Sequence, residues 1–367
     1  MNLSEYTVIL LHDVNPAWTV AERIEACRDA ACLQSALMDN GHPVVSVQVS
    51  DADISTLLEQ FDPCRHIVLN WCEELPGKAH SEGTVARILD SLGFIYTGSC
   101  PDALALSEDK CIFKKRLTRQ DIPTPRWVRV EDGRQISWDT YPAIVKAAWE
   151  HGSAGLSIDS VVLSPSELDR KITRMRARVG SSVMIEEFIE GREFHVTLWG
   201  NGHVKMLPPV EIDFSTCSNI RDRLCTYDSK FRPRSAHYRQ VRRRIPRMLS
   251  ARINRQLARV CKSAYRAIGC RDYARIDVRW RGGVCYVLDV NPNPDIASDS
   301  SMACAAAQAG FSYGEMGSRL VALAGQRHPS LADRRRHENK CPRLAEMSPV
   351  ANELQLNRSH SKTRRRP

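Results

Sequence analysis

Asp277, Asp289 and Asn291 stand in two runs, Arg275-Ile276-Asp277-Val278-Arg279-Trp280 and Val284-Cys285-Tyr286-Val287-Leu288-Asp289-Val290-Asn291, separated by Arg281-Gly282-Gly283. The runs and their glycine-rich spacer predict a β-hairpin. Side chains alternate faces along a strand, so Asp289 and Asn291 share one face, and pairing across the three-residue turn sets Asp277 nearly opposite Val287 on that face. Three oxygen donors with few charges suit Mg²⁺ (or Mn²⁺), which typically binds through one or two carboxylates plus nucleotide phosphates. Arg275 falls on the same face, where it could hold an anion beside the metal. The alternative is an amphipathic hairpin with solvated carboxylates.

Other stretches carry anion chemistry. His151-Gly152-Ser153-Ala154-Gly155 lies between two apolar runs, and its small residues let backbone N–H groups close over a phosphate. Lys146 precedes it and Lys110 opens an earlier helix; two lysines could pair with phosphates as point charges, or be solvated. Glu186-Glu187-Phe188-Ile189 ends an apolar strand whose backbone could face an adenine edge, and Glu193 could accept hydrogen bonds from ribose hydroxyls. An edge strand with solvated acids is the competing reading. The sequence has no G-x-S-x-G elbow, Walker loop or G-x-G-x-x-G turn.

The elements that must position these residues change character along the chain. Up to about residue 100, strands at Thr7–Leu11, Val44–Val49 and Arg65–Leu69 alternate with helices, one carrying the stripe Val20, Ile24, Cys27, Ala31 and Met38. That alternation predicts a parallel sheet with helices on its faces. A basic helix from Asp109 to Gln120 ends in the stiff linker Ile122-Pro123-Thr124-Pro125. Antiparallel strands, a helix capped by Ser164-Pro165-Ser166-Glu167, a long loop over 213–240, a helix from about Arg247 to Ile268, the hairpin, and a helix from Ser300 to Leu323 follow.

Composition bounds the setting. The chain of 367 residues, 43% hydrophobic and 26% charged, is long enough for several subdomains around substantial cores. Thirteen scattered cysteines without a C-x-x-C pair fit a reduced cytoplasm. The N-terminus does not read as a signal peptide and no apolar run is long enough to span a membrane, so membrane association is not expected. From Arg327 onward eleven Lys/Arg face four acids, +7 of the net +9. Such a tail reads as disordered and solvated, and nucleic-acid contact is not expected of it.

In order, the segments Asn70-Trp71-Cys72-Glu73, Tyr96-Thr97-Gly98-Ser99, Asp109-Lys110, Ile122-Pro123-Thr124-Pro125, Val145-Lys146, Gly152-Ser153-Ala154-Gly155, Glu186 to Glu193, Tyr227-Asp228-Ser229-Lys230, Arg275-Ile276-Asp277 and Asp289-Val290-Asn291-Pro292 resemble the D-alanine–D-alanine ligase family of the ATP-grasp superfamily. The resemblance spans about residues 5 to 325. It implies an α/β and α+β protein with an ATP-grasp fold: an N-terminal parallel α/β domain over 1–105, a central ATP-grasp subdomain over 106–210, a C-terminal subdomain over 211–326, and the basic tail over 327–367. It implies an ATP-dependent carboxylate–amine ligase acting through an acyl phosphate on small amino-acid-like substrates, with ATP and Mg²⁺ as cofactors and a homodimer by family analogy.

Roles carry over by position. Lys110 and Lys146 look like phosphate-binding lysines, Ser153 like part of the covering loop, and Glu186, Glu187, Phe188, Ile189 and Glu193 like adenine and ribose contacts. Asp277, Asp289 and Asn291 look like magnesium ligands, Lys230 like the lysine of a closing loop, Arg275 like the oxyanion arginine, and Ser300 with Ser301 like the region holding the second substrate's carboxylate. Members that join two D-alanines carry a Gly-Gly turn and a His-Glu-Val-Ser-like segment after the first strand, where this chain has Asp13-Val14-Asn15-Pro16-Ala17-Trp18; only Glu22 offers a substitute acid. The serine and tyrosine that complete that network align with Gly152 and Phe231. D-alanine alone is therefore expected to be a poor substrate.

Overall fold

A computed structural model describes residues 5–131, 136–149, 156–179, 183–226, 229, 235–246 and 248–329. The chain divides into two units, Met1–His328 and Pro329–Pro367, and the described fold is that of the first.

Its N-terminal sheet is built from β1 (Thr7–Asp13), β2 (Val44–Val49), β3 (His66–Trp71) and β4 (Ile95–Tyr96), all parallel in the order β2-β1-β3-β4. β1 and β3 are nearly continuous apolar runs because both of their faces are covered. The helix Val20–Asp39 starts at a capping box, where Thr19 and Glu22 satisfy each other's backbone N–H groups. This helix buries Ala30, Leu33 and Leu37, leaving Val20 and Ile24 each 63% and Met38 55% exposed, so the expected apolar stripe is not its packed side. The packed side meets the helix Tyr313–Gly325 through Gly314 and Gly317; a Cβ on Gly314 would lie 2.2 Å from the Ala36 carbonyl oxygen. That close approach decides which side of the helix is inward.

A second sheet, antiparallel, contains β5 (Trp127–Val130), β6 (Ala143–Ala147), β7 (Val161–Val162) and β8 (Val183–Glu187) in the order β5-β8-β6-β7. The helix Pro165–Val179 covers it through Leu168, Ile172 and Met175. A third sheet joins β9 (Arg192–Trp199), β10 (Lys205–Met206), β11 (Val210–Asp213), β12 (Arg242–Arg244), β13 (Tyr273–Arg281) and β14 (Val284–Asn291), with β9 between β11 and β13. The helix Ala251–Ile268 packs Leu257, Val260, Cys261 and Ala264 against it. The α/β plus α+β expectation is borne out.

Several element boundaries differ from expectation. The span 109–120 is preceded by a separate helix, Pro101–Glu108, and Asp109 restarts the chain as N-cap of Lys110–Thr118 by accepting from the Cys111 and Ile112 N–H groups. The expected helix over 300–323 is two, Ser301–Gln308 and Tyr313–Gly325, because Gly310 takes φ +89° and Ser312 caps a new start. The stretch 157–163, which reads as a strand, holds a 3₁₀ turn at Ile158–Ser160 and two strand residues, Val161–Val162. The long loop contains a 3₁₀ turn at Ile220–Asp222 and a short helix at Ala236–Gln240, and β12 follows it.

Arg327, expected to begin the tail, belongs to the body. Its guanidinium forks onto the fully buried Asp272, with Nη2 2.8 Å from Oδ2, and also donates to the Tyr96 carbonyl. His328 stacks edge-on against Tyr6 at 4.7 Å. The rest of the tail, from 330, lies outside the described residues.

Candidate active site

The hairpin that carries the acids turns on two residues rather than three. Gly282 and Gly283 take φ +57° and +85°, which glycine adopts without strain, and Arg281 pairs directly with Val284. Counting back from that turn, Val278 pairs with Val287, and an unbroken ladder would set Asp277 opposite Leu288 and Asp289 opposite the buried Ile276. A β-bulge intervenes. The register shifts between Asp277 and Val278, so Asp277 faces Asp289, and Arg275 faces Asn291. This corrects the expected pairing of Asp277 with Val287, while the convergence of Asp277, Asp289 and Asn291 on one cleft stands, achieved by the extra residue.

Within the cleft, Arg275 makes a two-pronged ion pair with Asp277 at 2.7 and 3.0 Å, and Asn291 Nδ2 donates to Asp277 Oδ2 at 3.3 Å. Lys110 Nζ lies 3.7 Å from Asp289 Oδ2. The two facing carboxylates are thus matched by cations of the protein, the demand that a hard divalent cation would also meet. Burial works against the Arg275 charge, but Asp277 foremost, with Asp295 and Asp289, more than offsets it and the guanidinium is held more firmly protonated than usual.

The opposite wall comes from β6 and β8. Glu186, 1% exposed, sits between Lys146 at 2.6 Å and Lys114 at 2.5 Å. Burial pushes the Glu186 carboxyl up, yet the two lysines together hold it below its ordinary range. Lys114 is fully buried and its pKa is lowered by desolvation, with Glu186 opposing. Lys114 also donates to Thr124 Oγ1, which in turn donates to the Val287 carbonyl, so the proline linker ties this lysine to the hairpin. Glu187 pairs with Arg281, and the Phe188 ring lies 4.5 Å beneath the Arg279 guanidinium. Arg279, 3% exposed, donates to Glu193 Oε2 at 2.7 Å and to the Ile189 carbonyl at 2.8 Å.

One cleft is therefore lined by Lys110, Lys146, Glu186, Glu187, Phe188, Ile189, Glu193, Arg275, Asp277, Asp289 and Asn291, all expected from the sequence. Ser300 and Ser301 lie beside it at a helix start: Ser300 accepts the Ala303 N–H as N-cap, and Ser301 Oγ is 2.8 Å from His195 Nδ1. Ser153, Gly152, Lys230 and Phe231 lie outside the described residues. Glu22 is not brought to the cleft. Its carboxylate is engaged by the Thr19 N–H and hydroxyl at 2.8 and 2.7 Å, on the exposed first turn of its helix.

Sequence reasoning missed Lys114, although Lys110 and Lys114 at spacing four share a helix face. It also missed His195, two residues beyond Glu193 and hence on the same strand face. A third omission is a set of acids near Arg275. Asp13 ends β1 and accepts the Glu73 N–H at 3.4 Å; Glu73 follows β3, Glu82 opens a helix, and Asp295 follows β14. Glu73 is exposed, and desolvation at its carboxyl, then Asp13 and Asp295, push it up against the pull of Arg275. Burial foremost raises Asp13 to about 6 and raises Glu82 well above its usual range.

The C-terminal portion, residues 117–322, matches the family described as D-ala D-ala ligase C-terminus. This chain belongs to the D-alanine–D-alanine ligase family. Among relatives of this ligase, the D-alanine–D-alanine ligase of Desulforudis audaxviator is 31% identical over 313 residues, covering 84% of this chain and 96% of that protein. An uncharacterized protein, y4sG, of Sinorhizobium fredii is 30% identical over 309 residues, covering 82% and 88%. The fold is that of the Bacillus anthracis D-alanine–D-alanine ligase solved with ATP, at a TM-score of 0.68 and 21% identity, over 91% of this chain and 99% of that one. The family ligase is thus an ATP-dependent, amide-bond-forming enzyme of the ATP-grasp type, as expected. Among the described residues, no helix is long and apolar enough to cross a membrane.

Proposed function

We propose that this ligase couples an amino-acid carboxylate to the amine of a second amino-acid-like substrate, with ATP bound along the wall of Lys146, Glu187, Phe188, Ile189 and Glu193. The carboxylate oxygen attacks the γ-phosphorus, ADP leaves, and the amine then attacks the acyl carbon and expels phosphate. Lys110 and Lys146 offset phosphate charge. Glu186 lies between Lys114 and Lys146 and leaves that trio one net positive charge facing the phosphates. Arg275 stabilises the tetrahedral oxyanion, a contribution commonly worth about 3 kcal/mol. Asp277, Asp289 and Asn291 fit Mg²⁺ or Mn²⁺ and would hold it, the ion neutralising phosphate charge when bound.

The observation that carries this reading is the meeting, across one cleft, of the lysine wall with the facing Asp277 and Asp289 pair. The start of the helix Ser301–Gln308, whose dipole favours an anion, supports Ser300 and Ser301 as the end that receives the second substrate's carboxylate. Asp13, Glu73, Glu82 and Asp295 stand where an ammonium group would relieve their mutual repulsion, and they supply the acid that Glu22 does not. Ser153 and Lys230 keep the roles that the resemblance implies.

D-alanine as both substrates is the second reading, favoured by the names of the relatives. Against it stand Gly152 and Phe231, each lacking a hydroxyl, and an unpaired polar group on the substrate costs about 1 to 3 kcal/mol. Phosphate release from ATP with each L- and D-amino-acid pair, with products read by mass spectrometry, decides between the two. A pair other than D-alanine with itself is expected to be fastest. D-alanine alone giving the fastest release and the dipeptide would establish the second reading.

A further inference from the structure

Glu193, His195 and Cys225 place a carboxylate oxygen, an imidazole nitrogen and a thiol sulfur within 4.8 Å of one another, and all three line the cleft. Oxygen ligands alone suit magnesium; a mixed oxygen, nitrogen and sulfur set suits a softer cation. Two of the ligands are already oriented. Arg279 holds Glu193 Oε2 at 2.7 Å, which turns Oε1 toward His195 Nε2 at 3.9 Å. Ser301 Oγ meets His195 Nδ1 at 2.8 Å, and a proton on Nδ1 donated to that hydroxyl leaves the Nε2 lone pair directed at Glu193 and Asp277. A second-sphere partner on the distal nitrogen is the usual accompaniment of a metal-binding histidine.

We propose that Glu193, His195 and Cys225 form a site for a borderline-soft divalent cation, Zn²⁺ foremost, at the nucleotide end of the cleft, and that this cation and ATP exclude one another. Zinc bonds of about 2.0–2.3 Å require ligand atoms about 3.3–3.8 Å apart, so the three groups close in by roughly 1 Å on binding. Three protein ligands leave a fourth position for water, as at open zinc sites. Exclusion of ATP rests on the reading of Glu193 as the ribose acceptor, because Arg279 already takes Oε2 and leaves Oε1 for cation or ribose. The hard-ligand pair Asp277 and Asp289 lies on neighbouring strands, so two divalent ions of different character are sorted within one cleft by donor type alone.

Co²⁺, a spectroscopic substitute for Zn²⁺, tests this on the full chain. Titration is expected to give a thiolate-to-cobalt charge-transfer band saturating at one equivalent, bleached by Zn²⁺ and by excess ATP, and lost in Cys225→Ser. In the turnover assay Zn²⁺ is expected to inhibit competitively with ATP, and Cys225→Ser to weaken that inhibition by roughly a hundredfold or more, since losing an outer-shell partner alone costs about 10–100-fold and Cys225 is a direct ligand. A band that survives in Cys225→Ser overturns the proposal. So does inhibition that this variant leaves unchanged and that excess Mg²⁺ relieves, since zinc would then act at Asp277 and Asp289. A band that requires Cys225 but persists under saturating ATP upholds the cation site and overturns the placing of ribose at Glu193.

Discussion

Replacing Glu186 by glutamine removes the only carboxylate that, among the described residues, touches the fully buried Lys114. Breaking a buried ion pair from one side costs about 3–5 kcal/mol, because the surviving charge is left without compensation. Here the cost has a ceiling. Lys114 can shed its proton instead, and taking a lysine of pKa about 10.4 to neutrality at pH 7 costs about 4.6 kcal/mol. The expected loss at pH 7 is therefore about 3–4.5 kcal/mol, a fall in Tm of about 4–7 °C for a unit of this size. The sign with pH follows from proton counting. Lys114 has a folded-state pKa below its unfolded value, so between the two the unfolded chain binds more protons and stability rises with pH. At pH 9 the same ceiling is about 1.9 kcal/mol, so the deficit of the variant should shrink to about 2 kcal/mol or less. Urea unfolding of wild type and Glu186→Gln at pH 7 and pH 9 measures both values. A deficit under about 0.5 kcal/mol at pH 7, or one that does not diminish at pH 9, refutes the reasoning. Lys146→Met is the comparison: it leaves Glu186 paired with Lys114, and is expected to raise the KM for ATP roughly tenfold or more and to cost about 1–3 kcal/mol in unfolding, less than Glu186→Gln at pH 7.

Three further outcomes are expected. Asp289→Asn, which removes a charged oxygen donor from the face shared with Asp277, should abolish most ADP release while the circular dichroism and Tm stay near those of wild type; near-normal turnover would contradict the metal assignment. Deleting Leu288 should close the bulge into an unbroken ladder that still sets Asp289 opposite Asp277 and Asn291 opposite Arg275, so much of the turnover should survive; turnover lost with the fold intact would contradict the face assignment. Truncation after His328 should leave stability unchanged, but truncation after Gln326 should lower it by about 3 kcal/mol, because Asp272 loses its guanidinium; equal urea midpoints for the two would remove Arg327 from the body.

How much of this was legible in the sequence depended on whether a local pattern decided the outcome. Strand alternation put Arg275, Asp277 and Asn291 on a common face, and the glycines announced the turn. The bulge that makes Asp289 join them has no local signature, since Leu288 continues an apolar strand as readily as it interrupts one. Lys114 reads as another solvated lysine of a basic helix until Glu186, 72 positions later, is folded against it. The first long helix offers two apolar stripes, and only Gly314 and Gly317, far along the chain, determine that Leu33 and Leu37 are inside. Glu22 illustrates the converse: three residues after Thr19 it is placed by a local pattern, the capping box, that the sequence alone displays.

The central claim is that a carboxylate of one substrate becomes an acyl phosphate before the amine attacks. Supplying the first substrate with ¹⁸O in both carboxylate oxygens, together with ATP, Mg²⁺ and the amine, tests it directly. One carboxylate oxygen must leave with the phosphoryl group, so the inorganic phosphate released should carry one ¹⁸O per amide formed, read by mass spectrometry. Amide formation with unlabelled phosphate, or phosphate release that proceeds without any carboxylate substrate, would contradict the account.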